Sequence, residues 1–299
     1  MNAEHPLLSR YLALNENFCS PFVFSLTKRG FYSEANNLLN AVMYGLQKKR
    51  RLIVDESQSD IADWTKFFAS RLPTTAQLST AEVSKDWTIT SAGHANFVRI
   101  RRFAERRHRF HVPIYIPDLE IFGRVLQVKR LLAAMLTRPH RESELLAGLA
   151  PEFAAFHIRR GDKTNGYRVG EKLIIEGDSV HPQAYLTMLA DKAPDIKSIF
   201  VMTDDFSVVG ELSELARGYD VISMCKPHQR GYSQNHFSGL STVEKANDLH
   251  SLIAETQIAA ASSIFIGGYK SNVARFIPLW HFSPRMCFSI DGARHWTPG

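Results

Sequence analysis

Three stretches of this 299-residue chain gather the residue types that do chemistry, and each directly follows a short apolar run. The run FAAF at 153–156 leads into His157, Ile158, Arg159, Arg160, Gly161, Asp162 and Lys163. SIFVM at 198–202 leads into Thr203, Asp204 and Asp205. SIFIG at 263–267 leads into Gly268, Tyr269, Lys270, Ser271 and Asn272, with Arg275 one helical turn on. An arginine presents a planar fork to two oxygens of a phosphate, which the point charge of a lysine does not do in bidentate fashion. Gly267 and Gly268 let backbone approach closely. Ser271 and Asn272 open a helix whose free N–H groups and dipole favour an anion.

A diphosphate fits these types, so the set reads as a nucleotide or nucleotide-sugar pocket. On their own the arginines serve equally well in a surface ion-pair network with Asp162, Asp204 and Asp205. Agreement among three runs favours the site.

Bringing three distant stretches to one rim requires parallel strands, because ligands of open α/β sheets bind beyond the carboxyl ends of the strands. The pattern supplies them. Apolar runs at 153–158, 198–202, 220–223 and 263–267 alternate with helical spacing at Tyr185, Leu186, Met188 and Leu189, at Val208 to Ala216 with Gly218 as the stop, and over 243–261. A further helix is predicted to begin near Asn272. Such alternation implies right-handed crossovers and a parallel sheet covered on both faces. In the first half, Leu38, Leu39, Val42, Met43 and Leu46 mark a helix over 33–47, followed by the apolar run 52–54. A helix-like stretch also spans 119–135. Two Rossmann-like halves, 1–150 and 151–299, facing a central cleft are therefore expected.

Composition bounds the remaining possibilities. With 44% hydrophobic and 22% charged residues the chain is globular. Its longest weakly charged stretch, 256–269, is shorter than the ~20 apolar residues of a membrane span. The opening MNAEHPLLSR lacks the basic start and apolar run of a secretory signal, so a cytoplasmic protein without a membrane span is expected. Cys19, Cys225 and Cys287 form no CxxC pair and read as buried thiols. The histidines offer no HExxH, so no metal is expected. Net charge is +6, and residues 99–111, RIRRFAERRHRFH, carry nearly all of it. That run reads as a solvated helix face or as a patch attracting an anionic substrate. A nucleic-acid module would want further basic stripes with aromatic interleaving, and none is visible. KKRR at 48–51 reads as the cationic close of a helix. There is no GxGxxG after a strand, no GxxxxGK[ST] and no GxSxG, which disfavours dinucleotide oxidoreductases, P-loop enzymes and α/β-hydrolases.

HIRRGDK at 157–163, MTDD at 202–205 and YKSNVAR at 269–275, in that order, resemble the α1,6-fucosyltransferase and protein O-fucosyltransferase superfamily. FSIDGARHW at 288–296 and RGFYSEANNLLNA at 29–41 are similar to that family too, so the likeness covers nearly the whole catalytic unit. The resemblance implies a GT-B architecture and an inverting, metal-independent transfer of fucose from GDP-fucose to a glycan, glycoconjugate or protein hydroxyl. No cofactor besides the GDP-sugar donor is implied, and no nucleic-acid partner.

It further implies that Arg159 contacts the β-phosphate and stabilises departing GDP. His157 lines the nucleotide site with Arg160 and Gly268, and Ser271 and the backbone at Asn272 hold the diphosphate. Asp204 and Asp205 orient ligand or structure and bind no metal. Glu255, sixteen residues before Ser271, meets the guanine edge where an animal member of that superfamily has an aspartate. Asp162 and Lys163 join Arg159 as catalytic candidates. An inverting transfer needs a base on the acceptor hydroxyl. Glu176, nine residues before Tyr185, is the first candidate and Glu171 the second. The chain departs from the family here, with a longer stretch between Lys163 and Glu176 and an HP motif, His181 to Tyr185, one residue shorter. A catalytically silent nucleotide- or glycan-binding protein with the same shell is the alternative.

Overall fold

The computed structural model describes residues 5–78, 88–91, 95–109, 111–137, 149–169, 172–174 and 179–292. The chain divides into two compact units, Met1–Pro139 and His140–Gly299.

The first unit runs α1 (Pro6–Asn17), β1 (Ser20–Ser25), α2 (Phe31–Lys48), β2 (Arg50–Asp55), β3 (Thr88–Ser91), α3 (Ala95–Arg109), β4 (Ile114–Ile116), β5 (Ile121–Gly123) and α4 (Val125–Leu136). Its sheet, in the order β2-β1-β3, is parallel throughout. α2 buries Leu38, Leu39, Val42, Met43 and Leu46 on a 3.6-residue period. It stops at Lys49, which turns left-handed at φ 51° and donates its N–H to the carbonyls of Gly45 and Leu46. Only Lys48 of the KKRR run therefore sits in the last helical turn; Arg50 and Arg51 already belong to β2, where Arg50 donates to the Pro21 carbonyl at 2.7 Å. The stretch read as one helix over 119–135 splits. Ile121–Gly123 is a strand paired antiparallel with β4, and the helix begins at Val125.

The second unit is built on five parallel strands in the order β10-β9-β6-β11-β12: β6 (Ala154–Ile158), β9 (Ser198–Thr203), β10 (Asp220–Ser223), β11 (Ile264–Gly267) and β12 (Cys287–Ser289). β6 is buried along its whole length, as expected of a central parallel strand. Its helices are α5 (Gly161–Asn165), α6 (Pro182–Lys192), α7 (Ser207–Leu215), α8 (Gln234–Gly239), α9 (Thr242–Ala261) and α10 (Asn272–Trp280), with a small hairpin, β7 (Tyr167–Val169) and β8 (Lys172–Ile174). Phe156, Ile158, Ile199, Val201 and Ile266 form one core with Tyr185, Leu186 and Leu189 of α6 and Val208 and Leu212 of α7. α9, opened by a reciprocal Ser241–Glu244 cap, packs on β6 and β9. Of the cysteines, Cys225 and Cys287 are buried, but Cys19 is exposed where the chain passes from α1 to β1.

Strand register fixes the site. Gly267 pairs with His157, and His157 with Met202, so the carboxyl ends of β11, β6 and β9 lie side by side.

Candidate functional site

The turn leaving β6 is clasped by the segment that precedes α8. Gly161 (φ +55°) and Gly231 (φ +94°) lie against each other. A side chain at 161 would meet Tyr232 N and O at 2.5 Å and Asp204 Oδ2 at 2.7 Å. Only glycine accepts both that backbone angle and that contact. Hydrogen bonds close the clasp: Asp162 N donates to Tyr232 O at 2.9 Å and Gly231 N to Asp204 O at 2.8 Å. Asp204 ties the pieces together. Its Oδ1 accepts from Arg160 N at 2.7 Å and its Oδ2 from Tyr232 N at 2.9 Å.

This clasp aims Arg159. Its guanidinium donates to Asp162 Oδ1 at 3.2 Å and lies 5.2 Å from the centroid of the Tyr232 ring, while Asp162 Oδ2 is held by Gln234 N at 2.9 Å. Arg159 Nε is buried with no hydrogen-bond partner among the described residues. A buried donor left open costs about 1–3 kcal/mol, and a bound anion would remove that cost. The second arginine goes elsewhere: Arg160 donates to the Val180 carbonyl at 3.1 Å and meets Glu211 at 3.6 Å. Asp205 likewise faces the start of α7, accepting from Ser207 N at 2.9 Å and Oγ at 2.8 Å.

His157 is buried on β6, and its carbonyl accepts from the Tyr185 hydroxyl at 3.2 Å. Burial, and then the charge of Arg159, push its pKa down to about 3, so the imidazole is neutral near pH 7. At the end of β11, a side chain on Gly267 would collide with Phe265 at 2.7 Å, so the glycine serves close packing. Ser271 caps α10, its Oγ accepting from Ala274 N at 3.4 Å. Asn272 accepts from Arg275, whose guanidinium stands 5.5 Å from the Tyr269 ring centroid. Asp291 Oδ2 takes Lys270 N at 3.1 Å and pins the loop below Gly268.

The Glu255 carboxyl on α9 has no hydrogen bond or ion pair among the described residues. Although part of its surface stays open, crowding protein atoms desolvate it. Burial, then the nearby charge of Asp204, push its pKa up to about 8. The same acids act on the Cys225 thiol, which burial and then Glu255, Asp204 and Asp205 raise to about 11. Such a carboxyl keeps a proton that the unfolded chain releases near pH 4.5, so its contribution to stability falls as pH rises from about 4.5 to about 8. Glu255→Gln is therefore expected to melt above the parent at pH 8 and beside it at pH 5. Parallel melting-temperature profiles across that range would mean that the carboxyl is already ionised at neutral pH.

The structure thus brings Arg159, Asp162 and Asp204 into one network. It sets His157, Gly268, Ser271 and Asn272 at neighbouring strand ends, with Glu255 beside Asp204. Arg160 and Asp205 turn to other partners. Glu171, Glu176 and the side chain of Lys163 lie outside the described residues. Sequence reasoning missed Tyr232 and Gln234, which follow no apolar run; Gly231 beside Tyr232 was the available signal for a special turn. Tyr185, singled out for its spacing, also supports the backbone of β6.

No family model matches the chain, and no curated protein matches it in sequence. Solved structures do match in fold. The NodZ α1,6-fucosyltransferase, soaked with GDP-fucose, aligns over 87% of this chain and 92% of its own at 15% identity and a TM-score of 0.50. POFUT1 in complex with GDP aligns over 93% of this chain and 99% of its own at 11% identity and a TM-score of 0.50. The architecture is the α/β, parallel-sheet fold of glycosyltransferase structures of the GT-B type. Within it, the chain has the fold that NodZ and POFUT1 share.

Proposed function

We propose that the protein is an inverting, metal-independent glycosyltransferase that moves fucose from GDP-fucose to a hydroxyl of a glycan, glycoconjugate or protein. The observation that carries this reading is the Arg159 guanidinium. It is held by Asp162 and Tyr232 at the carboxyl end of the central strand, with a buried N–H left for an anion. The guanidinium grips the β-phosphate, the α10 N-terminus at Ser271 and Asn272 faces the diphosphate, and the Glu255 carboxylate accepts from the guanine N1–H and N2–H. Neutral His157 lines the pocket and adds no positive charge of its own.

In the transfer, the acceptor oxygen bonds to fucose C1 from the face opposite the diphosphate while the C1–O bond breaks. The electron pair leaves on GDP, where Arg159 offsets the developing charge. The acceptor proton passes to a carboxylate, for which Glu176 is the first choice and Glu171 the second. Calorimetry in EDTA tests the donor half: GDP is expected to bind about ten-fold or more tighter than UDP, with the chelator making no difference. Equal affinity for the two nucleotides, or binding lost to EDTA, would sink the assignment.

A further inference from the structure

The first unit carries an aromatic pair that its own packing does not use. In the β4–β5 hairpin Ile114 pairs with Gly123, Tyr115 with Phe122 and Ile116 with Ile121. The isoleucines turn inward, so strand alternation throws Tyr115 and Phe122 onto the outer face, 59% and 71% exposed. The two rings meet edge to face with centroids 6.3 Å apart. Among the described residues of this unit, the exposed large apolar side chains are these two and Val112, at the foot of the same hairpin.

Cations gather at that foot. One step beyond the Ile114–Gly123 pair, register and alternation place Pro113 opposite Arg124 on the outer face, where Arg124 is exposed. Arg107 reaches the Pro113 carbonyl at 2.9 Å. Arg101, Arg102 and Arg106 of α3 are exposed as well, Arg101 being paired with Glu105. At the turn, Asp118 and Glu120 are exposed, Glu120 meeting Arg10 at 3.6 Å.

We propose that the outer face of this hairpin is a binding surface for an anionic saccharide; the choice of a saccharide rests on the glycosyltransferase reading above. Flat rings present a surface on which the C–H faces of sugar units lie, and guanidinium groups hold carboxylate, sulfate or phosphate substituents in bidentate fashion. Two rings and a valine are too little for a stable protein interface, which buries on the order of 1,200–2,000 Å² in total.

The test uses the full chain with a heparin-derived hexasaccharide, neutral maltohexaose and a six-nucleotide oligo-dT, with GDP affinity measured in parallel. The heparin fragment is expected to bind about ten-fold or more tighter than maltohexaose. Tyr115→Ala and Phe122→Ala each weaken both saccharides by about five-fold. Arg124→Gln removes most of the preference for the acidic one, and GDP affinity stays at the parent value throughout. Saccharide affinities untouched in the Tyr115→Ala/Phe122→Ala double variant would overturn the proposal. So would oligo-dT binding most tightly through the same residues, or a dimer in sedimentation dispersed by Phe122→Ala. A chain that binds GDP but ignores both saccharides loses the hairpin surface alone; one that binds saccharide through the hairpin but no GDP keeps that surface and loses the donor reading.

Discussion

An Arg159→Ala protein is expected to show no measurable transfer and to bind GDP about 10²-fold more weakly, while melting within ~2–4 °C of the parent. The asymmetry follows from the site. The Arg159 and Asp162 side chains are only 22% and 12% exposed, and the pair is joined by one contact at 3.2 Å. Removing the guanidinium forfeits that contact and the stacking on Tyr232, together about 1 kcal/mol. Asp162 does not become an orphan, because Gln234 N still donates to it at 2.9 Å. On the proposed reading, GDP binding loses far more, because the charge-assisted bonds to the diphosphate go, and transfer loses in addition the stabilisation of the leaving group. Isothermal titration, a GDP-release assay and a melting curve read the three quantities. A midpoint lowered by ~10 °C would instead mean that the arginine is there to hold the turn.

Asp204→Ala should behave in the opposite way, lowering the melting temperature by roughly 10 °C as well as weakening GDP binding. Its carboxylate accepts the N–H groups of Arg160 and Tyr232 at 2.7 and 2.9 Å. Each charged bond of this kind contributes about 1.5–3 kcal/mol. Without it the segment over Gly161 keeps only its backbone bonds, Asp162 N to Tyr232 O and Gly231 N to Asp204 O, and holds Tyr232 against Arg159 less firmly. Asp204→Asn keeps one of the two accepted bonds, through its amide oxygen, and sets its NH2 against the other N–H, so it is expected to melt between the parent and Asp204→Ala. It also removes the charge that helps to raise Glu255. Glu255 must be ionised to accept two guanine N–H groups, so parent affinity for GDP should climb with pH towards about 8 and then level. In Asp204→Asn that rise should move to lower pH. A rise at the same pH in both proteins would show that Asp204 does not act on Glu255 through its charge.

The parallel sheet of the second unit was legible because its strands are buried on both faces and so read as unbroken apolar runs. The runs at 153–158, 198–202, 220–223 and 263–267 became β6, β9, β10 and β11 with ends shifted by a residue at most. The α2–β2 unit was equally plain. β1 was not, since Ser20–Ser25 holds a three-residue apolar core behind Pro21 and gives no period to count. β4 and β5 are three residues each, too short for alternation to stand out, and the apolar residues of β5 merged with those of α4. Within the site, types and spacing singled out Arg159, Asp162 and Asp204. They could not say that Arg160 would turn towards Val180 and Glu211, because adjacent residues leaving a strand diverge according to the turn, and this turn is set by Gly161. Tyr232 entered through a contact between residues some seventy positions apart, which no local pattern records.

The middle position of β6 between β9 and β11 governs the order in which this protein becomes able to act. β6 is the first of the three to leave the ribosome, yet one of its flanks stays bare until β11, more than a hundred residues later, has been made. A nascent chain halted before residue 272 would own Arg159 and lack α10, the helix whose N-terminus the proposed function sets on the same diphosphate. On the proposed donor reading, nucleotide capture during synthesis should therefore switch on only after α10 emerges, and lengthening the connection before β11 should delay it without altering the finished protein.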